Sequence, residues 1–279
     1  MSIRPLPLAL LLTTALTACQ HTPTAAPSTA SPEVLLMGEV HDNAEGHAAR
    51  AKLLREKIEA GWRPTIAMEQ FDTDHQADLD SAMQACPDAA CVIAKASPGK
   101  SSWTWDYYKP VIALALEYKL PLLAANLSRS EASKVVKNGF SAALSPELIA
   151  RYQLDQLPAT VLAAQEKEVR DSHCGALPEN FVSPMAKAQI ARDVVMTETL
   201  RTHAANGIVL IAGNGHVRND IAVPYWLQRE GLPTHAIGFT EPGLGNAPFD
   251  DNHSIPVAKR ADPCAGFKAP TGKPTSSKK

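Results

Sequence analysis

The chain carries almost no net charge. Its 279 residues include 27 Lys or Arg and 29 Asp or Glu, a formal balance of -2. That balance argues against a broad nucleic-acid surface and leaves small molecules and proteins as partners. Long apolar runs are missing too. Apart from the amino terminus, none is long enough to span a bilayer. The chain lacks a phosphate loop of the form GxxxxGK followed by Ser or Thr. Trp is scarce at four residues and Cys at five. What remains is 45% hydrophobic and 20% charged, an ordinary globular composition sufficient for one large or two modest domains.

The amino terminus reads as a targeting signal. Arg4 supplies a positive start, and Leu6 to Leu16 form an apolar stretch too short for a transmembrane helix. Leu16-Thr17-Ala18-Cys19 follows and resembles the lipobox of bacterial lipoproteins. That resemblance implies a signal peptide over residues 1–18, cut before Cys19, which then carries lipid and anchors the protein to a membrane. Gln20 stands where lipoproteins retained in the inner membrane often carry Asp, so the expected location is the outer membrane. Residues 19–32, rich in Thr, Ala, Ser and Pro, read as a flexible tether. Residues 268–279, rich in Lys, Pro and Ser, are expected to be disordered.

With Cys19 set aside, Cys86, Cys91, Cys174 and Cys264 remain. An even count in an exported protein points to disulfides, with three possible connectivities. The short loop CPDAAC favours Cys86 with Cys91, which leaves Cys174 with Cys264.

Five apolar runs have strand length: Val34–Met37, Thr65–Met68, Leu120–Ala125, Ile208–Ala212 and Thr234–Phe239. Helical patterns separate them. In the first, Ala44, Ala48, Ala51, Leu54 and Ile58 recur at helical spacing behind a capping box of Asp42 and Glu45. Others are expected over Asp74–Ala85, Tyr107–Tyr118, Pro146–Leu157, Pro158–Val169, Met185–Ala204 and Val223–Glu230. This alternation predicts an α/β fold: a mainly parallel sheet with flanking helices. The interval of about 129–204 is long for one crossover and reads as an inserted helical cap over the sheet edge. The folded domain is expected over 33–267.

The residues that follow these strands carry the chemistry. They are Glu39 and His41, Glu69, Asn126, His216 with Arg218, and Glu241. In a parallel sheet all of them arrive at the carboxyl edge, where α/β folds place their ligand crevice. In AGNGHVRND, Gly213 and Gly215 allow a sharp turn that presents His216. Glu39, His41, Glu69 and His216 suit a divalent metal, and equally a hydrogen-bonded polar cluster without one. The segment SSWTWDYYKP concentrates Trp103, Trp105, Tyr107 and Tyr108. Core packing is the first reading of these rings, with Asp106 as a helix cap, and a flat apolar ligand the second.

Taken together, GEVHDN, AMEQF, the WxW and YxP segment, AANLSR, HCGALP, AQIARDVVM and AGNGHVRNDIAVP resemble the ChaN-like haem-binding lipoproteins. The resemblance implies an α/β core with a helical cap and an iron-regulated, lipid-anchored protein that binds haem, as a dimer holding two haems. It implies haem or iron uptake beside an outer-membrane haem receptor, and ferric iron ligated by tyrosine. Tyr152 in the cap and Tyr108 are the candidate ligands, and His173 is a candidate hydrogen-bonding neighbour. The wider superfamily includes erythromycin esterase-like hydrolases and Tiki-type metalloproteases, whose GxxH element and glutamates are similar to Gly38–His41 and Glu69. That likeness implies an alternative: a metal-dependent hydrolase in which Glu39 or Glu69 is the general base and His41 and His216 bind metal or steady an oxyanion.

Overall fold

The computed structural model describes Met1 and residues 34–99, 102–243, 248–262 and 264–266. The expected signal peptide beyond Met1, Cys19, the expected tether and the expected tail from 268 lie outside the described residues. Ser31–Lys279 form a unit separate from Met1–Ala30. Within it the elements run β1 (Val34–Met37), α1 (Ala44–Glu59), β2 (Thr65–Asp72), α2 (Gln76–Ala85), α3 (Ala89–Ala96), α4 (Lys109–Glu117) and β3 (Leu122–Asn126). They continue with α5 (Arg129–Asn138), α6 (Pro146–Arg151), α7 (Ala159–Ser172), α8 (Glu179–His203), β4 (Ile208–Ile211), α9 (Val223–Arg229), β5 (Thr234–Thr240) and β6 (Asp251–Ser254). No helix among the described residues is long and apolar enough to cross a membrane.

The strands form one parallel sheet in the order β3-β2-β4-β1-β5-β6. Side chains alternate across it, as the two-residue period of a strand requires. Leu35, Met37, Ile66, Met68, Val209 and Ile211 pack with α1 to α4. Val34, Leu36, Ala67, Ile208 and Leu210 face the other way, onto α8 and α9. Both faces are therefore covered, which is why β1 and β4 are apolar at every position. The 129–204 insertion supplies α5 to α8. Met196 and Leu200 of α8 lie on the sheet, and α5 and α7 pack onto α8.

The chain leaves β1 towards β2 and leaves β4 towards β5, in opposite directions along the sheet. β1 and β4 are neighbours, so a topological switch point falls between their carboxyl ends. A crevice opens at such a point.

Several local expectations are corrected. The cap of α1 is Asn43, whose side chain accepts from the Gly46 N–H at 2.8 Å; Asp42 is not the cap. The buried stripe of α1 is Gly46, His47, Arg50, Ala51, Leu54 and Ile58, while Ala44 and Ala48 are exposed. Asp106 lies in a short 3-10 turn and pairs with Lys109 at 2.6 Å; α4 begins after it. β2 runs on to Asp72 through an irregularity in register, so Glu69 sits inside a strand, not after one. β6 was not expected at all. Its residues, Asp-Asn-His-Ser, are all exposed, and β5 pairing holds them in place of burial.

Candidate functional site

Two loops build the crevice. Gly38 to His41 continues β1, and Gly213 to Val217 continues β4. They are stitched together by backbone: the Asn214 N–H donates to the Glu39 carbonyl at 2.9 Å. The Asn214 side chain donates to the Phe239 carbonyl at 2.7 Å and accepts from its N–H at 3.2 Å, so it extends the ladder towards β5. A Cβ on Gly38 would lie 2.1 Å from Asn214 Oδ1. Only glycine lets the two loops approach this closely.

Glu39 is buried, and its carboxylate is fully engaged. One oxygen accepts from the Tyr108 hydroxyl at 2.5 Å and contacts His41 Nδ1 at 2.8 Å. The other meets the guanidinium of Arg50, which is wholly buried. Burial pushes Arg50 down to about 10, against the opposing pull of nearby negative charge, so it stays a cation at neutral pH. Arg50 also donates to His47 Nδ1 at 3.0 Å, and His47 Nε2 reaches the His41 carbonyl at 3.1 Å. Burial lowers the pKa of His47, in keeping with a neutral ring that donates from Nε2 alone.

A second network faces the first. Glu69 accepts from the Gly213 N–H at 2.7 Å, and its other oxygen lies 3.6 Å from His216 Nε2. His216 Nδ1 is 2.6 Å from Asp193, a wholly buried residue of α8. Gln165 of α7 donates to the second Asp193 oxygen at 3.1 Å. Burial works against an imidazolium here, but Glu69 and Asp193 outweigh it and hold the His216 pKa above its ordinary value. Burial likewise opposes charge on Glu69, yet His216, His41 and the Gly213 N–H keep its pKa below the usual carboxylate value. Arg192 of α8 donates to Asn126 Oδ1 at 2.5 Å and to the Leu127 carbonyl at 2.6 Å, which fixes the end of β3 beside this network.

His41 joins the two networks. Its ring is half exposed and packs over Gly213, where an added Cβ would lie 2.9 Å from Nε2 and 3.6 Å from a Glu69 oxygen. The structure thus gathers Glu39, His41, Glu69 and His216 at the carboxyl edge, with Asn126 reached through Arg192. Arg218 points elsewhere. It binds Glu168 of α7 at 2.5 Å and Asp220 at 2.7 Å and ties the β4 loop to the helical layer. Glu241 is a clamp: it accepts from Asn43 at 2.6 Å and from the Ala258 N–H at 3.0 Å, and it pairs with Arg260.

The candidate tyrosine ligands, Tyr108 and Tyr152, are both engaged within the chain. Tyr108 is wholly buried, and burial raises its pKa well above the ordinary phenol value while its hydroxyl serves Glu39. Tyr152 is also buried, against Trp226, and donates to Glu198 at 2.9 Å; burial and that carboxylate both raise its pKa. The two also lie in the cores on opposite faces of the sheet. His173 closes α7 with Nδ1 on the Val169 carbonyl at 2.7 Å. The structure does not bring these three residues together. The four remaining cysteines are paired, Cys86 with Cys91 and Cys174 with Cys264.

Metal ligation by His41 and His216 is not favoured by the geometry. Among the described residues no three His, Cys, Asp or Glu side chains are arranged to hold a metal ion.

Haem makes different demands: flat apolar surface and a nitrogen or oxygen ligand. Trp103 lies edge-on to His41 with ring centroids 5.1 Å apart, Tyr107 stacks on His47 at 4.8 Å, and Trp105 lies 5.1 Å from Phe71. All three are only partly buried. A carboxylate behind Nδ1 is the usual support of a metal-ligating histidine, and His41 has one in Glu39. These residues fit the group.

A family model described as haem-binding uptake, Tiki superfamily, ChaN, matches residues 26–227. The chain belongs to this family. Among solved structures, ChaN of Campylobacter jejuni, described with cofacial haem binding, is similar with a TM-score of 0.64. The match is 20% identical and covers 79% of this chain and 86% of that one. At such identity the likeness shows a shared α/β fold. The erythromycin esterase EreC in its open conformation is 14% identical over 76% of this chain and 71% of its own, with a TM-score of 0.43. A Bacillus cereus protein is 14% identical over 76% and 66%, with a TM-score of 0.42. No curated protein matches.

In this ChaN-family chain, sequence reading missed Arg50, His47, Asp193, Gln165 and Arg192. All five lie on helices. The available signal was a charged or polar residue placed on the buried stripe of a helix, as Arg50 is beside Leu54 and Asp193 beside Ile190 and Val194.

Proposed function

We propose that the chain binds ferric haem at the crevice mouth, as a lipid-anchored envelope protein serving haem or iron uptake. The family match over residues 26–227 carries this reading. Trp103, Trp105 and Tyr107 would supply the apolar face, and His41, oriented by Glu39, would ligate the iron. Burial of the flat ring against those aromatics supplies most of the affinity, and the ligand fixes its orientation. Ferric haem, when bound, would supply redox-active iron. An outer-membrane haem receptor is the expected neighbour in the envelope, and a homodimer the expected assembly.

The test is a haem titration of tag-free mature protein, followed by absorbance, with molecular mass measured before and after. A saturable shift at micromolar haem is expected. His41→Ala should alter the spectrum, and Tyr107→Phe should leave it nearly unchanged. No saturable shift would sink the haem reading, and a spectrum that follows Tyr107 would move the ligand.

One observation favours a second reading. His41 on Glu39 and His216 on Asp193 form two carboxylate–imidazole pairs on either side of Glu69. Such a set can pass protons at neutral pH and would support acid–base hydrolysis without the metal first considered. Ester or peptide hydrolysis that is lost in Glu69→Gln would establish it. No turnover above buffer would remove it.

A further inference from the structure

The carboxyl-terminal segment after β6 contacts both walls of the crevice. Ile255 is buried and packs on Gly46 in the first turn of α1, where a glycine Cβ would lie 2.6 Å from its Cδ1. Asn43 donates to the Pro256 carbonyl at 2.7 Å. The Ala258 N–H donates to Glu241 at 3.0 Å. Arg260 binds Asp42, the neighbour of His41, at 2.5 Å, and pairs with Glu241 as well. Up to this point the segment belongs to the wall that carries His41.

Cys264 then crosses to the other wall through its disulfide with Cys174, 90 residues earlier, just past the end of α7. α7 is the helix whose Gln165 holds Asp193 and whose Glu168 holds the His216 loop through Arg218. The bond therefore links the His41 wall to the His216 wall. Its exposure differs from that of the other disulfide. Cys264 is exposed and Cys174 partly so, whereas Cys86 and Cys91 pack with the core.

We propose that residues 255–262 with Cys264 are a strap that joins the two crevice walls, and that reduction of the Cys174–Cys264 disulfide by a dithiol releases it and opens the crevice. The ligand side of this inference, easier haem capture or discharge, rests on the haem reading above. The exchange balances simply. One thiolate of the dithiol attacks a sulfur of the bond and forms a mixed disulfide, and the second thiol resolves it. Cys174 and Cys264 end as thiols, reduced by two electrons with two protons, and the dithiol ends as its own disulfide. Access to the sulfur governs the rate, so the exposed bond reacts before the packed one. The ion pairs of Arg260 then remain as a weaker, salt-screened latch.

The experiment treats folded mature protein with dithiothreitol and alkylates the thiols released. Mass spectrometry identifies them, and diethyl pyrocarbonate labels the histidines. His216, only 13% exposed at its side chain, is the reporter, and exposed His75, on another element, is the control. Alkylation of Cys174 and Cys264, with the Cys86–Cys91 bond intact and His216 labelling raised several-fold over His75, is expected. Cys174→Ser with Cys264→Ser should reproduce the rise without reductant, and adding Arg260→Ala should increase it. Unchanged His216 labelling in protein with both thiols shown alkylated would overturn the strap. A parallel haem titration separates the two ideas. Raised labelling with no haem uptake in either redox state upholds the strap and removes the haem reading, whereas haem uptake with unchanged labelling does the reverse.

Discussion

His216 Nδ1 lies 2.6 Å from Asp193 Oδ1, and its other nitrogen faces Glu69 at 3.6 Å. An imidazole between two carboxylates holds its proton longer than a free one, even though burial opposes the charge. Its resonance should therefore titrate above 6.5 by NMR, and Asp193→Asn should bring the midpoint down. The stability consequence has a definite sign. A histidine whose folded pKa is raised contributes fully below the unfolded value of about 6.5, and the contribution fades as pH rises through the folded value. The stability gap between wild type and His216→Gln should accordingly narrow as pH is raised from about 6.5. A gap that widened over that range would contradict the assignment.

The Glu69 carboxylate has the opposite sign. His216, His41 and the Gly213 N–H overcome burial and keep its pKa below 4.5. Its stabilising contribution is present above about 4.5 and is lost as pH falls through the folded value. Acid unfolding followed by circular dichroism should therefore come at higher pH in wild type than in Glu69→Gln, once the curves are compared at equal starting stability. Coincident acid limbs would count against an ionised Glu69.

Much of this was legible in the sequence, and the reasons are physical. Four of the five apolar runs lie within two residues of their strands, because a strand covered on both faces must be apolar throughout. Glu39, His41 and His216 could be placed because a parallel sheet delivers strand ends to one edge. β6 could not, since pairing alone holds it and its side chains carry no pattern. Arg50 was hidden by the reading of α1 itself. Counting only apolar residues chose a stripe through Ala44 and Ala48, and both are exposed. The buried stripe contains His47 and Arg50, whose burial is tolerated because Glu39 lies at the strand end opposite. Tyr108 and Tyr152 became candidates through the family resemblance, and their burial and carboxylate partners are visible only in the structure.

Cys19 lies outside the described residues, and its lipidation stands on the Leu16-Thr17-Ala18-Cys19 pattern. Mass spectrometry of detergent-extracted protein should find an acylated Cys19 as the new amino terminus. Cys19→Ala should move the protein to the soluble fraction. A variant that fractionated like wild type would remove the anchor, and the outer-membrane placement with it.

Gly213 and Gly38 should respond differently to one added methyl group. At Gly213 the new Cβ would meet His41 Cε1 at 2.8 Å and Nε2 at 2.9 Å, the far end of a half-exposed side chain that can swing away. Gly213→Ala should therefore fold at nearly wild-type stability but displace His41, which a changed haem spectrum or a shifted His41 resonance would report. At Gly38 the Cβ would meet Asn214 Oδ1 at 2.1 Å and Val217 Cγ2 at 2.9 Å. Asn214 is held on both sides by Phe239 and cannot yield without breaking the ladder extension. Overpacking of this kind costs about 1–3 kcal/mol. Urea denaturation should place Gly38→Ala lower by that amount, and equal midpoints for the two variants would contradict this account of the loop approach.

Glu39→Gln is the severest single test of the crevice. Glu39 and Arg50 are both almost wholly inaccessible, and Glu39 also receives Tyr108 and contacts His41. Removing the carboxylate charge leaves Arg50 buried without its counter-ion, a change that costs about 3–5 kcal/mol where one partner of a buried pair is lost. Arg50→Met alone strands the carboxylate in the same way. The double variant strands neither charge, so its loss should be smaller than the sum of the two single losses. Urea denaturation of the four proteins closes this cycle. Strict additivity would show that the two side chains, despite their contact, stabilise the fold independently, and the view of Arg50 as the counter-ion that holds Glu39 behind His41 would have to be abandoned.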